Sequence, residues 1–92
     1  MSAKAIQLRV HAVERMAKRG ITMGEVRQVL DTGEIIEDYP EDFPYPSQLM
    51  LGWSGDRPLH VVTANAPHTW IIITVYQPDP ARWDDQFKSR KP

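Results

Sequence analysis

The hydrophobic period of this chain changes once, at Gly33, and that change restricts the fold more than any other feature. Before Gly33, apolar residues recur at steps of three and four; after it they alternate. Two helices followed by a run of strands describe an α+β domain, because an α/β sheet would need helices between the strands. With 92 residues the chain is a single domain, residues 1–92. A chain this short buries roughly 60–65% of the surface its unfolded form exposes, so it has room for one core.

The first helix is predicted from about Ile6 to Arg19, with Ile6, Val10, Val13 and Ala17 as its apolar stripe. Gly20 stands where a helix ends in a positive-φ residue. Thr22 and Glu25 then have the spacing of a capping box, flanked by Ile21 and Val26 as a hydrophobic staple. The second helix runs to about Asp31 and Gly33 ends it. Strands are predicted at 34–39, 47–53, 58–65 and 69–76. The loop 40–46 holds three prolines and two aromatics, and Ser54-Gly55-Asp56-Arg57 reads as a hairpin turn. Residues 80–87 are predicted as a short terminal helix. The expected architecture is two N-terminal helices packed on one face of a four-stranded antiparallel sheet, with a short C-terminal helix.

The net charge is -1, but it is unevenly placed. Residues 1–20 carry Lys4, Arg9, Arg15, Lys18 and Arg19 against Glu14. Residues 31–42 carry six acids and no cation, and Lys88, Arg90 and Lys91 make the end basic again. The weak total argues against strong non-specific binding to nucleic acid and leaves room for a local basic face. With no cysteine there are no disulfides, thiol nucleophiles or thiolate metal sites. No apolar run approaches a membrane span, and the N-terminal ten residues lack the apolar stretch of a secretory signal. A cytoplasmic protein is the expectation, with no membrane partner.

Alternation sorts the strand residues into faces. Ile71, Ile73 and Val75 are expected to meet the helices, and Trp70, Ile72, Thr74 and Tyr76 to look away. If the last hairpin loop is 66–68, His60 pairs with Thr74 and shares that outer face with Tyr76. Imidazole titrates near neutrality, a phenol can donate or stack, and guanidinium holds phosphate in a planar fork. His60, Tyr76 and His11 are therefore the catalytic candidates, and Arg15 and Arg19 the phosphate or RNA ligands. Arg15 and Arg19 follow His11 at four-residue steps along the first helix. Such a set suffices for RNA cleavage by 2′-hydroxyl attack, with no metal and no cofactor. His11 and His60 lack a third ligand at a recognisable spacing, so no metal site is read. Because the helices pack on the face opposite His60, the arginines must reach round an edge of the sheet. Trp83 reads as core, closing the sheet edge, and His68 as an exposed loop residue.

The blocks "HAVERMAKRGIT", "VRQVLDTGEIIEDYPEDFPYPSQLMLG", "RPLHVV" and "IITVYQPDPARWDDQF" occur in order over about residues 11–87. Together they resemble a bacterial family known as domain of unknown function 4258. The resemblance implies a fold similar to RelE-like and MqsR-like toxins. It also implies an mRNA-cleaving toxin of a type II toxin–antitoxin pair, with a zinc-finger antitoxin of the MqsA type. The family blocks emphasise His11, Arg15, Arg19, His60, Tyr76, Pro78 and Trp83. Many RelE-like nucleases are basic, and this chain is slightly acidic.

Three functions are thus in view. The first is a metal-independent endoribonuclease in which His60 is general acid or base, Tyr76 orients or stacks RNA, and Arg15 and Arg19 hold phosphate. On that reading His60→Ala should abolish cleavage and leave the fold intact. The second is a non-catalytic interaction module that uses the aromatic loop around Phe43 and Tyr45. The third is a single-stranded nucleic-acid binder, marked by salt-dependent binding without products.

Overall fold

A computed structural model describes residues 4–92; residues 1–3, the start of the N-terminal ten residues that lack a signal-like apolar stretch, lie outside the described residues. The elements in chain order are β1 (Ala5–Leu8), α1 (Val10–Arg19), α2 (Met23–Thr32), β2 (Glu34–Tyr39), β3 (Ser47–Ser54), β4 (Arg57–Asn65) and β5 (Thr69–Tyr76). The sheet order is β1-β5-β4-β3-β2. β1 runs parallel to β5, and the other three pairings are antiparallel. The domain is α+β, but its sheet is five-stranded and mixed, not four-stranded and antiparallel.

The extra strand comes from residues assigned to the first helix. Ile6 and Leu8 lie beside Trp70 and Ile72 of β5, and the ladder extends through the Arg9 amide to the Ile72 carbonyl at 3.0 Å. Four paired residues cover a β5 edge that would otherwise stand open. α1 therefore starts only at Val10, and its inward residues are Ala12 and Met16. Val10 is 75% exposed and Val13 47%, so the stripe they form with Ala17 faces out. The same three- and four-residue steps fit both faces; Met16 wins the core because it covers more area than the valines on the neighbouring face.

The helix joint follows the sequence closely. Gly20 has φ 64° and closes α1 through its amide to the Met16 carbonyl. Thr22 and Glu25 form the capping box, with Thr22 Oγ1 accepting from the Glu25 amide at 3.1 Å and Glu25 Oε1 accepting from the Thr22 amide at 2.9 Å. Arg57, at the start of β4, donates to the Arg19 carbonyl at 2.9 Å and pairs with Glu25 at 3.8 Å. One guanidinium thus ties the orphan carbonyls of α1 and the first turn of α2 to the β3–β4 hairpin.

Both helices cover one face of the sheet. Ala12, Met16, Ile21, Val26 and Val29 pack with Met50, Leu59, Val61, Ile72 and Val75. β5 does not keep one alternation along its length. The register moves by one residue between Val62 and Thr63, so Ile72 and Val75 both point at the helices. This corrects the expectation that Ile71, Ile73 and Val75 form the helix-facing set. The loop is 66–68 as expected, yet Asn65 pairs with Trp70 and His60 pairs with Tyr76, not Thr74. The two single-residue slips add to a shift of two, one full strand period, so His60 and Tyr76 stay on the outer face.

That outer face is covered by the chain's end. No C-terminal helix forms among residues 80–87. Asp79 Oδ1 accepts from the Ala81 amide at 2.8 Å, and Asp84 Oδ1 accepts from the Gln86 and Lys88 amides at 3.1 and 3.0 Å. Aspartates that bind amides two residues on favour turns over helix. Trp83 and Arg90 form an isolated antiparallel bridge, and the Lys91 amide donates to the Arg82 carbonyl at 2.8 Å. The result is an irregular strap, residues 79–91, lying across the face away from the helices.

Candidate functional site

At the end of β5 the α1 face, the strand end and the strap meet around a cleft of about 490 Å³. It is lined by Arg15 and Arg19 from α1, Tyr76 and Gln77 from β5 and its exit, and Asp79, Arg82, Trp83 and Arg90 from the strap. The arginines of α1 do reach round the sheet, past the end of β5. Four guanidinium groups face one lining carboxylate, Asp79.

Arg90 is already committed. It makes two hydrogen bonds of 3.1 Å to Glu37 of β2, and its guanidinium lies 4.7 Å above the Trp83 ring. Those bonds hold the Glu37 carboxyl below the usual carboxylate range, and Tyr39 donates to the same carboxylate. The guanidinium groups of Arg15, Arg19 and Arg82 have no hydrogen-bond or ion-pair partner among the described residues. Like charges gathered without a counterion repel one another, so this wall of the cleft suits an anion.

His60 lies behind this wall, not in it. Its ring is fully buried. Nε2 lies 2.8 Å from the Phe87 carbonyl oxygen, and Nδ1 lies 3.2 Å from the Tyr76 hydroxyl. A carbonyl only accepts, so Nε2 carries the proton and Nδ1 accepts from the phenol. Trp83 stands edge-on to the imidazole with ring centres 4.4 Å apart, and Tyr76 does so at 5.2 Å. Burial pushes His60 below its ordinary pKa of 6.5; the Phe87 carbonyl and Glu37 oppose this and Arg90 adds to it. Burial likewise raises Tyr76, which is therefore a neutral phenol near neutral pH.

The placement sorts the residues expected from sequence. Tyr76, Arg15 and Arg19 come together in the cleft. His60 adjoins it only through Tyr76 and Trp83, so direct contact between imidazole and ligand is corrected to contact through the phenol. His11 is exposed on α1 and does not line the cleft. Trp83 is core, as read, but it closes the sheet's outer face over His60, not its edge. Sequence reasoning missed Arg82, Arg90 and Glu37. The available signal was the basic C-terminal end opposite the acidic stretch that includes β2, which the Arg90–Glu37 and Lys88–Glu34 pairs join.

No three His, Asp or Glu side chains among the described residues are grouped to hold a metal ion. No helix among them is long and apolar enough to cross a membrane.

The family model described as domain of unknown function (DUF4258) matches residues 8–77. The chain belongs to that family. No curated protein and no solved structure matches it. The matched segment of this DUF4258 chain carries Arg15, Arg19, His60 and Tyr76. The strap, with Asp79, Arg82, Trp83 and Arg90, lies beyond it.

Proposed function

We propose that the cleft binds the phosphate backbone of single-stranded RNA and that the protein is a metal-independent endoribonuclease acting by 2′-hydroxyl attack. The observation that carries this reading is the convergence of three ion-pair-free guanidinium groups, Arg15, Arg19 and Arg82, on a cleft that also presents the Tyr76 phenol. Guanidinium forks match phosphate oxygens and would neutralise the charge that builds on phosphorus during attack. On this reading Arg15, Arg19 and Arg82 hold the scissile phosphate and Tyr76 orients the sugar. The toxin activity that the family resemblance implies agrees with this reading and would add a cognate antitoxin, of the zinc-finger kind, as a protein partner.

The test is incubation of mixed-sequence single-stranded RNA in EDTA. Wild type should yield fragments ending in a 2′,3′-cyclic phosphate. The double variant Arg15→Ala/Arg19→Ala should cleave at least about a hundredfold more slowly, the scale on which charge-stabilising donors act. No cleavage by wild type, or equal cleavage by the double variant, would sink the proposal.

One observation favours the interaction module as a second reading. Phe43 is 94% exposed at the tip of the loop between β2 and β3, on the far side of the sheet from β5. Tyr45, two residues on, is also exposed, and clustered aromatics of this kind anchor protein interfaces.

A further inference from the structure

We infer that Tyr76 and His60 form a two-residue proton relay, in which the cleft-lining phenol takes the 2′-hydroxyl proton as it passes its own to Nδ1 of the buried histidine. The inference rests on the cleavage reading above and gives His60 a route to the substrate that its burial otherwise denies.

Three features of the molecule build this relay. The first is the directed chain Tyr76 hydroxyl to His60 Nδ1 at 3.2 Å, then His60 Nε2 to the Phe87 carbonyl at 2.8 Å. The second is how that carbonyl is aimed. Phe87 has φ 60°, the one non-glycine residue with positive φ among those described. Backbone in this region is costly for a bulky residue and persists only where its surroundings enforce it. Here the Phe87 ring packs edge-on to Trp53 at 6.0 Å while its carbonyl fixes the imidazole tautomer. The third is charge. An imidazolium formed at His60 would face Glu37 of β2, Tyr76 of β5 and Arg90 of the strap, with Leu51 of β3 and Trp83 as apolar neighbours. Glu37 is ionised and held in place by Arg90, so one fixed carboxylate is at hand to stabilise the cation.

The step balances. The 2′-hydroxyl O–H bond breaks and its proton joins the Tyr76 oxygen. The Tyr76 O–H bond breaks and its proton joins His60 Nδ1. The 2′-oxygen–phosphorus bond forms, and the phosphorus–5′-oxygen bond breaks. The leaving 5′-oxygen takes a proton from water, and the hydroxide left behind recovers one from the imidazolium through Tyr76. No proton is consumed overall and no oxidant or reductant enters. His60 is a positioning and proton-storing residue in this scheme, and Tyr76 is the catalytic residue.

The test combines kinetics with nitrogen NMR on the full chain, using a single-stranded RNA oligonucleotide. Tyr76→Phe removes one oxygen, and His60→Gln keeps a donor for Phe87 while losing the titrating group. Each should lower kcat at least about a hundredfold with KM little changed, and the double variant should fall no further. The acidic limb of the wild-type rate profile, lying below the ordinary histidine value of 6.5, should vanish in both. In the wild type, NMR should show His60 protonated at Nε2 and bare at Nδ1, which decides the matter even if His60→Gln fails to fold. A fully active Tyr76→Phe, additive losses in the double variant, or an Nδ1-protonated His60 would overturn the relay. RNA binding without cleavage by wild type would overturn it too and leave the phosphate cleft standing. Neither binding nor cleavage would remove the functional reading on which it rests.

Discussion

His60→Ala is expected to lower the unfolding free energy by roughly 2–4 kcal/mol, the sum of a cavity and two orphaned polar groups. The imidazole is fully buried, Trp83 leans on it, and its two nitrogens satisfy the Tyr76 hydroxyl and the Phe87 carbonyl. Truncation removes the post on which the strap rests. The remaining strap contacts to β2 are the Lys88–Glu34 and Arg90–Glu37 pairs, and exposed pairs of this kind contribute about 0–1 kcal/mol each. Backbone amides of the strap should therefore exchange with solvent faster in the variant. The cost also depends on pH. The folded chain holds His60 below its ordinary pKa of 6.5, so as pH falls past 6.5 the unfolded chain takes up a proton that the folded chain refuses. The stabilisation from a neutral His60 is present above that value and is lost as pH falls toward the depressed folded pKa. Urea unfolding should thus show the gap between wild type and His60→Ala narrowing from pH 7 to pH 5. A variant as stable as wild type at pH 7, or a gap that widens in acid, would contradict this account. It also replaces the expectation that His60→Ala would leave the fold intact.

Gly33→Ala is expected to cost roughly 2–3 kcal/mol, well above Gly20→Ala at about 1 kcal/mol. The ordering is the informative part. Gly20 has the unusual φ of 64°, yet an added Cβ there meets nothing within 4 Å. Gly33 has an ordinary φ of -75°, but its Cβ would sit 2.5 Å from the Val29 carbonyl oxygen and 2.7 Å from that of Leu51. Both obstacles are backbone, so the end of α2 and β3 must separate. The same closeness recurs at Gly52, where a Cβ would meet Val29 at 2.6 Å. Unfolding midpoints of the two alanine variants measure this directly; a Gly20→Ala loss equal to or larger than that of Gly33→Ala would show that α2 can lift from the sheet cheaply.

The parts of this fold legible in the sequence are those set by local chemistry. The capping box at Thr22 and Glu25, the positive φ of Gly20 and the period-2 strands depend on neighbours within four residues, and they appear where the pattern puts them. The outer-face pairing of His60 and Tyr76 was legible as a face but not as a register. One of the shifts that set the partner lies at the 66–68 turn and the other in a bulge with no composition of its own. The misread elements were decided at long range. Ile6 fits a helix by its four-residue step to Val10, yet it and Leu8 are strand because the edge of β5, some 64 residues on, pairs with them. Residues 80–87 suit a short helix by length, but the turns at Asp79 and Asp84 make them part of a strap. No local pattern joins Arg82 and Arg90 to the site, because they meet Arg15 and Arg19 only in three dimensions. Half of the cleft was thus visible as a motif on α1, and the other half was not.

The measurement that tests the central claim most directly is the salt dependence of single-stranded RNA binding in EDTA, by anisotropy, for wild type and for Arg15→Ala/Arg19→Ala/Arg82→Ala. If three guanidinium groups hold phosphates, the wild-type logarithm of affinity should fall against the logarithm of salt with a slope of about -2, at about 0.7 per phosphate neutralised. The triple variant should lose most of both affinity and slope while keeping its unfolding midpoint. Equal affinity and equal slope in the two proteins would mean that the arginine cleft is not where RNA is held.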